Sequence, residues 1–237
     1  MKRLILVDFD DTLVETAPAF QAAREALFRL LEKEGFPRGK SERVHHGEVD
    51  PELLARHGMG PFRMAPSFRE TYVRLCGRQG RSVDPSVADA CAALGRDFLG
   101  RPRVMDGSLD ALERLARWAP TAVFSQAAQL EYQKGRIRDA GVMDVLGESR
   151  ILITEQKTPA TFRLALEYFG VDRPEEATMI GNSLRSDINP ALTVGARALL
   201  VEPYEMWHHD NVPPVSPDFL RFPGFPDAVT YLVGEGP

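Results

Sequence analysis

The chain has 237 residues, 43% hydrophobic and 27% charged, with a formal net charge of -5; this is a globular composition, long enough for one large domain or a domain with a sizeable insertion. The negative balance argues against nucleic acid or an acidic membrane surface as the main partner, and two cysteines, Cys76 and Cys91, make no disulfide framework and fit a reducing compartment. No run approaches the length of a membrane span, and the aspartates after residue 7 interrupt what would otherwise imitate a signal-peptide core, so a cytoplasmic protein is expected.

The first predicted strand covers 4–8, a continuous β-prone run of the kind buried on both faces of a sheet, and it leads directly into Asp8, Asp10 and Asp11. Apolar residues then recur at helical spacing over 17–34 (Phe20, Ala23, Leu27, Leu30, Leu31), and Gly35-Phe36-Pro37 ends that helix. Further helices are predicted near 50–57, 66–79 and 84–99, the last opened by Asp84-Pro85 as cap and first-turn residue, and no strand interrupts this region. After Gly107 helices and strands alternate: helix 108–117, strand 121–124, helix 128–140, strand 150–153, helix 158–169, strand 177–180, helix 185–194 and strand 197–201. Such alternation predicts an α/β fold, a Rossmann-like parallel sheet with helices on both faces. Residues 1–15 and 101–202 form this core, 16–100 an all-helical insertion, and 203–237 a proline- and aromatic-rich tail that packs on the core and ends in a short helix near 226–233.

Ligands of an open parallel sheet bind beyond the carboxyl ends of its strands. The first strand delivers Asp8 and Asp10, whose two-residue spacing in an extended segment turns both side chains the same way. The second ends in Ser125, Lys157 follows the third, and the fourth leads into Gly181-Asn182-Ser183-Leu184-Arg185-Ser186-Asp187. Acids, a hydroxyl, a lysine and an amide thus arrive at one edge from four segments. Taken singly, each has an ordinary reading: aspartates in a strand-terminal turn, Ser125 as a helix cap, Asp187 as a surface acid.

Together the four segments resemble the haloacid dehalogenase-like hydrolase superfamily. Its Asp-x-Asp-x-Thr pattern appears as Asp8-Phe9-Asp10-Asp11-Thr12, its strand-terminal hydroxyl as Val123-Phe124-Ser125, its lysine motif as Lys157-Thr158-Pro159, and its acidic motif as Gly181-Asn182 through Asp187. The resemblance covers residues 1 to about 201, and the helical insertion falls where the family carries its cap. It implies that Asp8 is a nucleophile forming an aspartyl-phosphate and that Asp10 is the general acid and then base. It further implies Mg²⁺ held by Asp8, the Asp10 carbonyl and Asn182 or Asp187, with the phosphoryl group bound by Ser125, Gln126, Lys157 and Thr12. The clustered aspartates become tolerable because a divalent cation and a lysine share their site. One position departs from the family: Asn182 stands where a metal-binding aspartate is usual, and an amide oxygen brings no charge to the ion.

Lys134, in the helix after Ser125, competes with Lys157 for the lysine role; Lys157 is preferred because it precedes Thr-Pro at a strand-to-helix turn, whereas Lys134 reads as a solvated helix face. The pairs His45-His46 and His208-His209 lack further ligands at metal spacing and read as surface or loop. Arg63, Arg69 and Arg74 read as a solvated face, and Cys76 and Cys91 as packing residues. The expected function is a Mg²⁺-dependent phosphatase acting on a small phosphorylated metabolite. The alternatives are a haloacid dehalogenase or a phosphomutase using the same aspartate, or a non-catalytic binding module on the same fold. Asp10 favours the phosphatase, since an ester's leaving oxygen needs a proton and a departing halide does not. No feature of the sequence assigns an oligomeric state.

Overall fold

In a computed structural model of the chain, which describes residues 4–58, 60–96, 98–202 and 212–234, the apolar run before the aspartates is strand β1 (Leu4–Val7). There follow β2 (Val14–Glu15), then α1 (Ala17–Lys33), α2 (Arg38–Val44), α3 (Asp50–His57), α4 (Met64–Arg78) and α5 (Pro85–Leu94). The alternating part comprises β3 (Arg103–Val104), α6 (Ser108–Trp118), β4 (Thr121–Gln126), α7 (Leu130–Asp139), α8 (Val142–Leu146), β5 (Ile151–Thr154), α9 (Pro159–Tyr168), β6 (Ala177–Gly181), α10 (Asn189–Val194) and β7 (Arg197–Val201). The chain closes with β8 (Leu220–Phe222) and α11 (Phe225–Gly234).

Among the described residues the main sheet has six strands in the order β5-β4-β1-β6-β7-β8, and every neighbouring pair is parallel. The expected α/β fold is therefore borne out. Strand β1 is central and all four of its residues are buried, because each face of the sheet is covered. Ile5 and Val7 point into a cluster with Leu112 and Leu115 of α6, Ile137 of α7 and Val229 and Leu232 of α11. Leu4 and Leu6 point the other way, to Phe162 and Leu166 of α9 and Ala191 of α10. The alternation of side chains along a strand thus divides the core into two layers.

The chain divides into two compact units, one comprising residues 1–17 and 101–237 and the other residues 18–100. The second is all-helical among its described residues and has its own core, with Leu27, Phe28, Leu31, Phe68, Tyr72 and Leu75 buried together. Its last helix, α5, stops at Leu94 rather than running to 99, and Gly95, which follows it, lies against the α4 backbone. A Cβ there would come within 2.5 Å of the Met64 and Ala65 main chain. Asp84 caps α5 by accepting from the Ser86 N–H at 2.8 Å, with Pro85 at the first turn.

Two readings of this unit need correction, and one helix is added. His45 is not a surface residue: it opens a π-helical turn at His45–Val49 and is fully buried among Phe28, Phe68 and Thr71. Arg63 is not on a solvated face but is buried in an ion pair with buried Asp50. Residues 38–44, left without an element by pattern reading, form α2, a helix too short and polar to show an apolar stripe. Cys76 and Cys91 are buried free thiols.

The tail does more than pack on the core. Residues 203–211, including His208-His209, lie outside the described residues. Beyond them β8 adds an edge strand beside β7, and α11 buries Phe225, Ala228, Val229 and Leu232 in the same layer as α6.

Candidate active site

The carboxyl ends of β1, β4, β5 and β6 deliver the residues read from the sequence. Asp8 is anchored beyond β1 by its N–H, which donates to the Ile180 carbonyl at 2.9 Å. The next residues turn back sharply: Leu13 and Val14 both donate to the Phe9 carbonyl, and Asp11 N donates to Val14 O. Asp11 adopts a left-handed backbone (φ 54°), a conformation aspartate tolerates better than most residues. Its side chain accepts from the Thr16 and Ala17 N–H groups at 2.9 and 2.8 Å, supplying acceptors at the start of α1.

Lys157 is fixed by the chemistry of its turn. Thr158 and Thr161 form a reciprocal capping box, Pro159 stands in the first turn of α9, and the Lys157 N–H donates to Gln126 Oε1 at 3.3 Å. The ammonium is buried between two carboxylates, donating to Asp8 Oδ1 and, at 2.6 Å, to Asp187 Oδ1. Lys134, by contrast, pairs with exposed Glu148 away from this cluster. Gly181 makes the Asp187 position possible, since a Cβ there would lie 2.3 Å from Asp187 Oδ2. That same oxygen accepts from the Ser183 N–H at 3.0 Å. Asp187 therefore faces the lysine and the start of the π-helical turn Leu184–Ile188, while Asn182 faces Asp8 and Asp10.

Burial pushes the Asp8 carboxyl up to about 8; Lys157 opposes this, while the Asp187 and Asp10 carboxylates add to it. Burial also works against charge on Lys157, but Asp187 and Asp8 outweigh it and hold the ammonium above its ordinary range. One cation cannot neutralise two ionised carboxylates, and the raised Asp8 pKa reflects that: ionising Asp8, as a nucleophile requires, calls for further positive charge.

Asn182 bears on where a second cation would fit. One end of its carboxamide lies 3.3 Å from Asp8 Oδ2 and 3.1 Å from the Asp10 carbonyl oxygen. With nitrogen at that end the amide donates to both; with oxygen there it accepts from Thr12 Oγ1 at 3.4 Å and faces two further oxygens. Carboxylate, carbonyl and amide oxygens converge here, a donor set that suits a hard divalent cation, and such an ion would favour the ionised form of Asp8. Among the described residues no group of three or more His, Cys, Asp or Glu forms a metal cluster, so such an ion would need the amide and a main-chain oxygen beside the Asp8 carboxylate.

Two residues of α7 at this site escaped the sequence reading. Gln133 and Arg136 of α7 are buried and meet the Asp10 carboxylate, at 2.5 and 2.6 Å. Gln133 also donates to Ser125 Oγ at 2.9 Å. The signal available was the helix itself: residues 130–139 hold only Leu130, Tyr132 and Ile137 as large apolar residues, so a helix packed on the core had to turn polar groups inward.

The chain is 26% identical over 225 residues to a phosphoserine phosphatase of Thermus thermophilus, covering 84% of this chain and 88% of that protein. Its fold matches a haloacid dehalogenase-like family hydrolase of Xanthomonas campestris, with TM-score 0.79, 23% identity, and 99% and 93% of the two chains covered. A 2-haloacid dehalogenase of Pseudomonas syringae matches over both full lengths, with TM-score 0.58 and 24% identity. The haloacid dehalogenase-like hydrolase family model matches residues 2–195, and with the strand-end arrangement above this places the protein, a hydrolase, in that family.

Proposed function

We propose that the protein is a Mg²⁺-dependent phosphatase that hydrolyses a small phosphomonoester through an aspartyl-phosphate at Asp8, acting in the cytoplasm. The observation that carries this reading is the pair of aspartates with separate partners: Asp8 lies on Lys157, and Asp10 is held by α7 beside Ser125. A phosphoryl transfer needs both a nucleophile and a proton donor for the leaving oxygen. Asp8 Oδ attacks phosphorus and the ester P–O bond breaks, the departing oxygen taking a proton from Asp10. Water then attacks phosphorus while Asp10 takes its proton, the Asp8 Oδ–P bond breaks, orthophosphate leaves, and both carboxyl groups return to their starting forms. Lys157 offsets charge on Asp8 and the phosphoryl oxygens, Ser125 donates to a phosphoryl oxygen, and Gln126 and Thr12 line the phosphate site. Asp8, the Asp10 carbonyl and Asn182 would hold Mg²⁺, which supplies positive charge to the phosphoryl oxygens; Asp187 orients Lys157. The helical unit serves as the cap in this reading and contributes substrate selection.

A panel of phosphate esters led by O-phosphoserine, assayed with and without Mg²⁺, tests the proposal. Metal-dependent release of orthophosphate from an alkyl ester is expected; no hydrolysis of any ester refutes it. A second reading, dehalogenation of a 2-haloacid, is favoured by one observation, the amide at position 182 in place of a metal-binding acid. Halide release without metal, and no phosphate release, selects it.

A further inference from the structure

The contacts of Gln133 and Arg136 have a direction that can be read without seeing a hydrogen atom. Arg136 carries only donors, so the Gln133 side-chain oxygen must be the end that faces it, 3.1 Å from Nη1. That fixes the Gln133 amide: its NH₂ group points at Asp10 Oδ2 and Ser125 Oγ, at 2.5 and 2.9 Å. Ser125 Oγ is thereby an acceptor from Gln133, and its single proton remains for a group outside this network. On the other side, Thr16 Oγ1 accepts from Arg136 Nη2 at 3.0 Å and donates its own proton to Asp10 Oδ1 at 2.5 Å. Arg136 Nη1 meets the same Asp10 oxygen at 2.6 Å. The Asp10 carboxylate is thus gripped at both oxygens by three donors, two of them on one helix face at i, i+3.

We infer that Gln133 and Arg136 are positioning residues for the acid–base and phosphate-binding groups, acting as one donor relay from Arg136 through Gln133 to Ser125. The relay does two things at once. It holds Asp10 in one orientation beside the nucleophile, and it leaves the Ser125 hydroxyl proton free to donate to a phosphoryl oxygen. Arg136 acts on the reaction through the groups it holds, Gln133, Thr16 and the Asp10 carboxylate. The inference rests on the reading of Asp10 as the acid and base of a phosphatase.

The test is a kinetic cycle on the full-length protein with its best alkyl ester and with p-nitrophenyl phosphate. Arg136→Met is expected to lower kcat on the alkyl ester on the order of 10²-fold, within the range of general acid–base catalysis, and phosphorylation by the aryl ester at most about 10-fold. Arg136→Lys should restore part of the loss. In an Asp10→Asn background the same Arg136→Met change should cost less than about 3-fold, because residues acting as a unit are not additive. Equal losses on both esters, or a full loss repeated in the Asp10→Asn background, would overturn the inference. Gln133→Leu, which removes the amide and leaves the Arg136–Asp10 pair, carries the test should Arg136→Met not fold. It should raise KM for phosphate esters and the inhibition constant of inorganic phosphate through Ser125, and unchanged values of both would refute the relay. Failure of the wider reading is distinguishable: there the wild-type protein hydrolyses no ester at all.

Discussion

The buried imidazole of His45 makes the stability of the protein depend on pH in a way that can be worked from its surroundings. His45 Nδ1 lies 3.1 Å from Thr71 Oγ1, whose own proton goes to the Ser67 carbonyl at 2.8 Å. Thr71 can then only accept, so the neutral imidazole carries its hydrogen on Nδ1 and leaves Nε2, which has no partner among the described residues, bare. Burial lowers the His45 pKa from 6.5 to about 3; Asp50 opposes the shift, and His46, Arg24 and Arg63 reinforce it. The sign follows from proton counting. Below pH 6.5 the unfolded chain binds a proton at this position that the folded chain refuses, so stability falls as the pH drops from 6.5 towards 3. The slope is at most about 1.4 kcal/mol per pH unit, and the loss from pH 7 to pH 5 is about 2 kcal/mol from this group alone. Other groups titrate as well, so the quantity to measure is a difference. Urea unfolding of the wild type and of His45→Gln, each at pH 7 and pH 5 by far-ultraviolet circular dichroism, isolates it. The glutamine can still donate to Thr71 but does not titrate, and its protein should lose about 2 kcal/mol less on acidification. Parallel losses in the two proteins would refute the buried neutral imidazole.

Asp8→Asn should abolish turnover while leaving the circular dichroism spectrum unchanged, because an amide is no nucleophile; activity surviving a mass-spectrometric check against deamidation would remove Asp8 from that role. Gly181→Ala should displace the Asp187 carboxylate, since the new methyl would sit 2.3 Å from Oδ2, and should cost roughly 1–3 kcal/mol as overpacked sites do. A thermal scan showing no loss would mean the loop yields freely. Asn182→Asp should lower the half-saturating Mg²⁺ concentration by adding an anionic oxygen beside Asp8 and the Asp10 carbonyl. An unchanged or weaker requirement would take residue 182 out of contact with the ion.

How far the sequence spoke depended on whether a residue's role was local. Strand β1 was legible because four consecutive apolar residues ending in aspartates have few other uses, and the parallel sheet followed from alternation. Lys157 was separable from Lys134 because Thr158-Pro159 marks a helix start, and the structure pairs only the former with Asp8. For Gln133 and Arg136 the apolar-poor helix hinted only that polar groups turn inward; which ones, and toward what, was not legible, because their partner Asp10 lies more than 120 residues away. His45 and Arg63 failed for the same reason: type alone predicted exposure, and tertiary partners overrode it. Strand β8 is three residues long with mostly exposed side chains, so its only signal is the edge of β7 that it completes.

The site's charges constrain the chemistry more tightly than any one contact. Arg136 offsets Asp10, whereas among the described residues Asp8 and Asp187 share Lys157 between them. A phosphate monoester near neutral pH brings close to two further negative charges. Burying it beside Asp187 and an Asp8 that must ionise to attack would be costly without added positive charge. The phosphatase reading therefore requires a cation beyond Lys157, and the oxygens of Asp8, Asp10 and Asn182 are where the chain offers to hold one. It also gives the amide at 182 a physical meaning. An aspartate there would bind the ion more strongly but would add a third carboxylate to the cluster around one lysine. Asparagine keeps an oxygen donor and leaves the site less anionic, at the cost of weaker metal binding. An enzyme arranged this way should need more Mg²⁺ than its Asn182→Asp variant and should be less hindered by the charge of its own product.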